Sequence, residues 1–516
     1  MSTPLLADLL RAAAADDPGR EAYVHDDKRV DYRWLDRAAD GFATTLLDAG
    51  VRPGDVVCLM VPDSIKFAAC YFGAARAGAI TSAINLRLGP AEQASIVGRT
   101  DPVVTVVGDG AMVPDGVDPG LVLPVTELKD AFAAGAPARP PAVASSDPVC
   151  LIWTSGTTGT PKGAIYTHDA MATIARNVGD FAAPHDRLLH SLPFPHLGYL
   201  GWCYTFTLHR MTLVLARQPW SVETTLELVE REHVTYMNGV PTQWSLLVKH
   251  PRIREVDFSA LRVAAMGGAA ATPALVREIR DLLQVPVLNG YSQTEAGIIS
   301  GTHIGDADEV VAGTVGRARP EVELRTVALD GAEPTPVGEV GEIVCRSPAV
   351  MRGYWRDPEL TATVIDADGW LHTGDLGRLD ADGNLTIVGR RKEMYIRGGY
   401  NVYPTEVEAA LTGHPWITRT AVVGVPDPVL GEIGVAFVVL APDPPVADDD
   451  IAAMLADVRA WCRARIADYK APDRLVVVDE LPLTAVGKLD KPALAARWID
   501  EHPEADGMRH GMRRAG

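Results

Sequence analysis

One segment constrains the fold more than any other. The apolar run 149–153 stops abruptly in Thr154-Ser-Gly-Thr-Thr-Gly-Thr-Pro-Lys-Gly163. A short apolar run that ends in turn residues reads as a buried strand. Glycines after it let the backbone approach a ligand and take positive φ. Successive N–H groups and Ser/Thr hydroxyls can wrap phosphate oxygens, and Lys162 adds a point charge. No Gly-Lys-Ser/Thr closes the loop, so it is not a Walker A loop. A flexible linker is the competing reading, but it fits poorly after a buried strand and before Pro-Lys-Gly.

The flanking sequence alternates strands and helices. Leu35, Ala38, Phe42 and Leu46 share one face of a helix over 32–49, with Asp31 as its N-cap. Gly54-Asp55 turns into a buried strand at 56–61. A helix at 64–77 ends against Gly78, and 103–107 is a further strand. Residues 133–148 are Ala/Pro-rich and read as a surface connection. Strands at 212–215, 263–266 and 285–288 continue the alternation, which implies a largely parallel sheet covered by helices. From about residue 337 glycine-punctuated strands at 340–345 and 384–388 suggest a β-rich subdomain. After Arg390-Arg-Lys-Glu393 a fresh set begins: helix 405–411, strands 421–425 and 435–440, helix 451–466 and strand 475–478. The tail 503–516 looks loose. The fold class is α/β: a large N-terminal domain of helix-covered sheets plus the β-rich subdomain, residues 1–390, and a small α+β domain, residues 391–516.

Composition narrows the function. A chain of 516 residues with 47% apolar and 22% charged side chains is an ordinary globular protein, long enough for two to four domains on the usual scale. Its 48 basic and 67 acidic residues give a net charge of −19. That argues against nucleic acid and against an anionic membrane surface, but not against a small anion in a locally basic site. The N-terminus has no signal pattern. The most apolar stretch, 67–83, carries Arg76 and is too short to span a bilayer. Six cysteines lie at 58, 70, 150, 203, 345 and 462, with no Cys-x-x-Cys pair. They read as buried thiols in a reducing, cytoplasmic protein.

The loop at 154–163 resembles the phosphate-binding signature of the adenylate-forming superfamily: acyl-CoA synthetases, peptide-synthetase adenylation domains and luciferases. Further matches follow in the family's order: Pro193-Phe-Pro-His196, Met266-Gly-Gly-Ala269, Tyr291-Ser-Gln-Thr-Glu295, Gly353-Tyr-Trp355, His372-Thr-Gly-Asp375, Gly389-Arg390 and Gly487-Lys488.

The resemblance implies roles at these positions. Nucleotide binding falls to Thr154, Ser155, Gly156, Thr157, Thr158 and Lys162, to Gly267, Gly268 and Ala269, and to Asn289, Gly290, Tyr291 and Thr294. Tyr291 would stack on adenine, and Thr294 would donate to phosphate. Glu295 offers the hard oxygens that suit Mg²⁺. Asp375, helped by Arg390, would accept from two ribose hydroxyls. Lys488 would bridge the attacking carboxylate and the α-phosphate, offsetting their repulsion. Lys392 matches a hinge about which a mobile C-terminal domain rotates between half-reactions. One pose would present Lys488 and the other the glycine loop Gly398-Gly399 to the thiol path. His196 joins the catalytic set as a pocket and gating residue, without a proton-transfer role. Ser292 stands where the family usually has glycine, and Glu393 where aspartate is commoner.

The acyl pocket is expected from Tyr199 and Trp202 and from the stretches 238–242, 266–269 and 291–298, which hold Val240, Met266 and Ser292. These are mostly apolar, which suits a hydrophobic acid. Relatives that activate amino acids carry an aspartate just after the histidine region. Here 196–203 holds no acid, and a buried unpaired ammonium would be costly. No tryptophan shrinks the pocket in the Tyr291–Glu295 motif, so a medium, alicyclic, aryl or long acyl group has room. The implied substrates are a carboxylic acid, ATP and CoA, with Mg²⁺. Arg459, Arg463, Arg465, Lys470 and Arg474 could meet CoA phosphates or simply form a solvated face. Three activities follow: a complete AMP-forming acyl-CoA ligase, a ligase that loads a carrier protein, or a diverged chain that performs one half-reaction.

Overall fold

The computed structural model describes residues 3–135, 141–154, 161–217, 220–267, 272–329, 331, 333–441, 450–484 and 489–502. Two largely parallel sheets dominate the first two-thirds. The six-stranded sheet runs Leu121–Pro124, Val104–Val107, Val56–Met60, Ile80–Ala83, Pro148–Thr154 and Lys162–Thr167. Only its last pair is antiparallel. The nine-stranded sheet has the parallel centre Glu21–His25, Thr212–Leu215, Arg187–His190, Tyr236–Gly239, Val263–Met266 and Val287–Gln293, with antiparallel strands at both edges. Both central runs are Val/Ile/Leu/Ala-rich, as strands covered on both faces require.

Helices Leu6–Asp16, Tyr32–Asp48 and Ile65–Arg76 supply much of the core against these sheets. Asp31 caps the second by accepting from the Trp34 N–H, as its position implied. The third is buried almost throughout, so the apolar stretch 67–83 is a core helix and strand. Its Arg76 is 1% exposed and is paired with Asp36 and Asp40. Among the described residues no helix is long and apolar enough to cross a membrane. All six cysteines are buried and unpaired, and burial pushes the Cys58 thiol up to about 11 and that of Cys150 to about 12.

Strands Glu323–Val327, Gly341–Arg346, Leu371–Leu379 and Leu385–Arg390 form a four-stranded sheet. The chain divides into two compact units: Met1–Arg325 with Val344–Thr373 and Asp380–Leu385, and Thr326–Ile343 with Gly374–Leu379 and Thr386–Gly516. The second unit holds a five-stranded sheet in which Gly431–Leu440 pairs with Ile417–Asp427 and with Arg474–Val477, and Tyr395–Arg397 pairs with Tyr400–Val402. Period-two alternation sorts its side chains. Val422, Ala436 and Val438 pack in a cluster with helices Pro404–Leu411 and Ile451–Arg463; Ala421, Val423, Val435 and Phe437 pack in one with helix Lys491–Glu501.

One element differs from the sequence reading. The strand foreseen at 285–288 is Val287–Gln293, so Tyr291-Ser292-Gln293 lies within the strand. Antiparallel pairing with Gly297–Gly301 carries it onward, with an irregularity between Tyr291 and Ser292.

Candidate active site

In the large unit the site is built around the hairpin whose strands are Pro148–Thr154 and Lys162–Thr167. Thr154 pairs with Lys162, and Trp153 with Gly163. The residues at the mouth of the 154–163 loop are therefore fixed by a sheet. Ser155, Gly156, Thr157 and Thr158 lie outside the described residues.

A second segment holds the hairpin from the other side. Ile165 N–H donates to Gly353 (2.9 Å), Arg352 N–H to Ile165 (2.9 Å) and Trp355 N–H to Gly163 (2.7 Å). This pairing delivers Tyr354 to Glu295: its hydroxyl donates to Glu295 Oε1 at 2.9 Å. Lys162 Nζ lies 5.7 Å from the centre of the same ring. The backbone around Glu295 is pinned too. Met351 N–H donates to the Glu295 carbonyl (2.8 Å), and the Tyr166 hydroxyl to that of Thr294 (2.7 Å). Burial, and then the Glu295 charge, hold Tyr354 protonated far above the ordinary phenol range. Lys162, Thr294 and Glu295 thus share one corner, organised by a tyrosine that the sequence reading left without a role. Its Gly-Tyr-Trp motif was visible, but the hydroxyl's partner lies 59 residues away.

The parallel strand ends bring the next group together. Gly239 aligns with Met266, and Met266 with Asn289. A Cβ on Gly267 would stand 3.6 Å from the Gly290 carbonyl, and one on Gly290 would stand 3.0 Å from the Phe181 ring. Asn289 turns inward: its amide donates to Thr314 O at 3.0 Å, and its Oδ1 has no partner among the described residues. It anchors the strand from below. Tyr291 is buried and Ser292 is exposed. Gly268 and Ala269 lie outside the described residues.

The expected acyl residues separate. Tyr199 is fully buried, stacked on Phe194 at 3.6 Å, with its hydroxyl 2.9 Å from that of Tyr23. Met266 is 1% exposed, in the cluster that contains Trp244. Both differ from the sequence reading: they are core residues, because their strands and helices are covered on both sides. Trp202, stacked beside Tyr236, and Val240, at the start of helix Pro241–Lys249, keep partial exposure. His196 caps helix Leu197–Leu200, its Nδ1 accepting from Gly198 N–H at 3.1 Å. A recess of about 220 Å³ lies along Pro193-Phe194-Pro195, with Asp63, Arg87 and His190 in its wall. Asp63 accepts from the Phe194 N–H at 2.9 Å, and burial raises its carboxyl to about 6.

The small unit carries a separate constellation. Asp375 has a side chain 9% exposed and lies 3.2 Å from Arg390 Nε. Strands Leu371–Leu379 and Leu385–Arg390 bring the two together. Lys392 is exposed in a turn closed by Glu393 and Met394 N–H groups donating to the Arg390 carbonyl at 3.0 Å. Gly398 and Gly399 form the tip of a hairpin, with φ of +56° and +86°. Lys488 lies outside the described residues. Its flanks are fixed: Leu483 bridges Leu489, and Asp490 N–H donates to Pro482 O at 2.9 Å. Lys491, three residues on, reaches Glu393 and Glu408, each at 2.9 Å. Burial alone would lower its pKa, but Glu408 and Glu393 outweigh that and raise it. The basic stretch 459–474 is engaged by carboxylates, with Arg459 on Asp473, Arg463 on Asp468 and Lys470 on Glu406 of helix Pro404–Leu411. That favours a braced face over an open phosphate patch.

Among the described residues no group of three or more His, Cys, Asp or Glu side chains could hold a metal on its own. A single carboxylate oriented by Tyr354 is nevertheless a donor that would suit Mg²⁺, which keeps most of its ligands as water and substrate phosphate.

Comparison with known proteins shows the family. Residues 10–355 match the AMP-binding enzyme family, and residues 406–488 match the AMP-binding enzyme C-terminal domain. The chain is 35% identical to a feruloyl-CoA synthase from an Amycolatopsis species over 93% of its length and 96% of the relative's. It is 32% identical to a long-chain-fatty-acid–CoA ligase of Mycobacterium tuberculosis, covering 96% of this chain and 99% of the other. The amide bond synthetase McbA of Marinactinospora thermotolerans superposes with a TM-score of 0.85 at 31% identity, covering 96% of this chain and 99% of that one. The chain therefore belongs to the AMP-binding enzyme family, as an adenylate-forming ligase of the acyl-CoA synthetase type.

Proposed function

We propose that this enzyme activates a hydrophobic, non-amino carboxylic acid with ATP and transfers the acyl group to the thiol of CoA. The observation that carries the reading is the corner formed by Lys162, Tyr354 and Glu295 at the mouth of the 154–163 loop. In the first half-reaction the acid's carboxylate attacks the α-phosphorus, the bond to the β-phosphate oxygen breaks, and pyrophosphate leaves. Lys162 and the loop hold phosphate oxygens. Glu295, oriented by Tyr354, would hold Mg²⁺, which would supply charge neutralisation to the triphosphate. Asp375 and Arg390 fix the ribose. Lys488 offsets the repulsion between the two anions. In the second half-reaction the CoA sulfur attacks the acyl carbon, AMP leaves, and Gly398-Gly399 line the thiol path.

The reading places the boundary near residue 391, with residues 391–516 rotating about Lys392. The absence of an acidic side chain in 196–203 supports a non-amino acid. The names of the relatives, feruloyl-CoA synthase and long-chain-fatty-acid–CoA ligase, support an aryl or aliphatic one. Lys488→Ala tests the two-pose assignment. It should abolish acid-dependent pyrophosphate release and leave thioester formation from supplied acyl-AMP largely intact. Equal loss of both would refute it.

A further inference from the structure

The tip Gly398-Gly399 is held by a segment to which neither its motif nor the two half-reactions assign a role. Strands Tyr395–Arg397 and Tyr400–Val402 pair directly, with Arg397 opposite Tyr400. The two glycines between them, both at positive φ, form the tight two-residue turn that suits a hairpin. Such a turn fixes register, and backbone pairing ties the hairpin to its neighbour strand at one end only, through the Arg397–Gly431 pair and the Gly398 N–H donating to Leu430 O at 2.8 Å. The stretch 468–474 fastens both of its strands. On the first, Arg397 clasps Asp473 through two bonds: Nε to Oδ2 at 2.9 Å and Nη2 to Oδ1 at 2.6 Å. On the second, Tyr400 stacks on Tyr469 at 4.6 Å with the rings 25° apart.

Asp473 is itself immobilised. Its Oδ2 accepts from Gly434 N–H at 3.2 Å, its own N–H donates to Gly434 O at 2.7 Å, and Arg459 Nη1 stands 3.5 Å from Oδ1. The Arg397 and Asp473 side chains are 17% and 7% exposed. A planar guanidinium fork on a buried carboxylate holds direction as well as distance. A strut that ties the end of one hairpin strand to Asp473, beside strand Arg474–Val477 of the same sheet, sets where the tip points.

We propose that Asp473 is a positioning residue for the thiol-transfer half-reaction, aiming the Gly398-Gly399 tip through Arg397, with Tyr469 steadying the opposite strand. This rests on the reading that the tip lines the thiol path. A strut of this kind bears on the second half-reaction and leaves the first alone.

The test uses the full chain and measures the two half-reactions separately for wild type, Asp473→Asn, Tyr469→Ala and Tyr469→Phe. Adenylation is followed by ATP–pyrophosphate exchange. Thiol transfer is followed from synthetic acyl-AMP and CoA, the acyl group being that of the best acid found in a screen. Asp473→Asn should slow thiol transfer at least tenfold while exchange stays within twofold. Tyr469→Ala should act in the same direction, and Tyr469→Phe, which keeps the stack, should not. If Asp473→Asn fails to fold, Tyr469→Ala carries the test alone. Equal loss of both half-reactions, or no loss of either, would overturn the proposal. A wild-type enzyme that exchanges pyrophosphate yet makes no thioester would overturn the assignment of the tip itself, and that result is seen before any variant is made.

Discussion

Asp375→Asn is the sharpest probe of the nucleotide site. Asparagine keeps the side chain's shape and removes its charge. The carboxylate is 9% exposed and has Arg390 Nε 3.2 Å away, so it acts as a largely desolvated, oriented acceptor. A hydrogen bond to an ionised acceptor contributes about 1.5–3 kcal/mol, and one between neutral groups about 0.5–1.5 kcal/mol. Two ribose hydroxyls therefore lose about 1–1.5 kcal/mol each, or about 2–3 kcal/mol together. At a factor of ten for each 1.4 kcal/mol, ATP affinity should fall roughly 30- to 150-fold. Equilibrium titration with a fluorescent ATP analogue, alongside the KM for ATP in pyrophosphate release, measures it. The CoA KM should not move, because CoA does not meet this ribose site. A folded variant with ATP affinity within twofold of wild type would refute the ribose assignment.

Three further outcomes are expected. Tyr354→Phe removes the donor to Glu295, and at the lower end of a charged hydrogen bond's worth the Mg²⁺ concentration for half-maximal pyrophosphate release should rise about tenfold; an unchanged Mg²⁺ requirement would contradict the role given to Tyr354. Lys491→Met leaves Glu393 and Glu408 facing each other without their shared cation, which should cost about 3 kcal/mol of stability and depress pyrophosphate exchange, while Lys491→Arg retains both; calorimetry and the exchange assay decide it. Acid stability follows from His168 and His190, which burial lowers from 6.5 to about 4. Each is neutral in the fold but protonates in the unfolded chain, so its contribution is complete above pH 6.5 and is lost as pH falls toward 4, of order 3 kcal/mol apiece. Asp63, raised from 3.8 to about 6, works in the opposite direction over pH 6 to 3.8 and offsets part of this. Urea midpoints should therefore fall between pH 6.5 and 4.5, and a flat profile would contradict the assignment.

Much of this was legible in the sequence because the relevant physics is local. Asp31 sits three residues before the N–H it caps, and the strands at 212–215 and 263–266 are apolar runs of the observed length. Asp375 and Arg390 were read jointly, and adjacent strands bring them together. What escaped is set by pairing between distant segments. Tyr354 reaches Glu295 only because 351–355 pairs along Lys162–Thr167. Tyr199 and Met266 are apolar side chains whose facing partners decide between pocket and core, and composition does not name those partners. The basic run 459–474 reads as available for phosphates, but Asp473, Asp468 and Glu406 lie against it.

Whether both half-reactions occur on this chain with CoA as acceptor is decided by one set of time courses. The most direct measurement follows pyrophosphate, AMP and thioester together, with ferulate and fatty acids of graded length, with and without CoA. Acid-dependent pyrophosphate release is expected, then AMP and acyl-CoA appearing one for one when CoA is added. Pyrophosphate release followed by AMP without thioester would contradict it and point instead to a carrier protein or another nucleophile as acceptor.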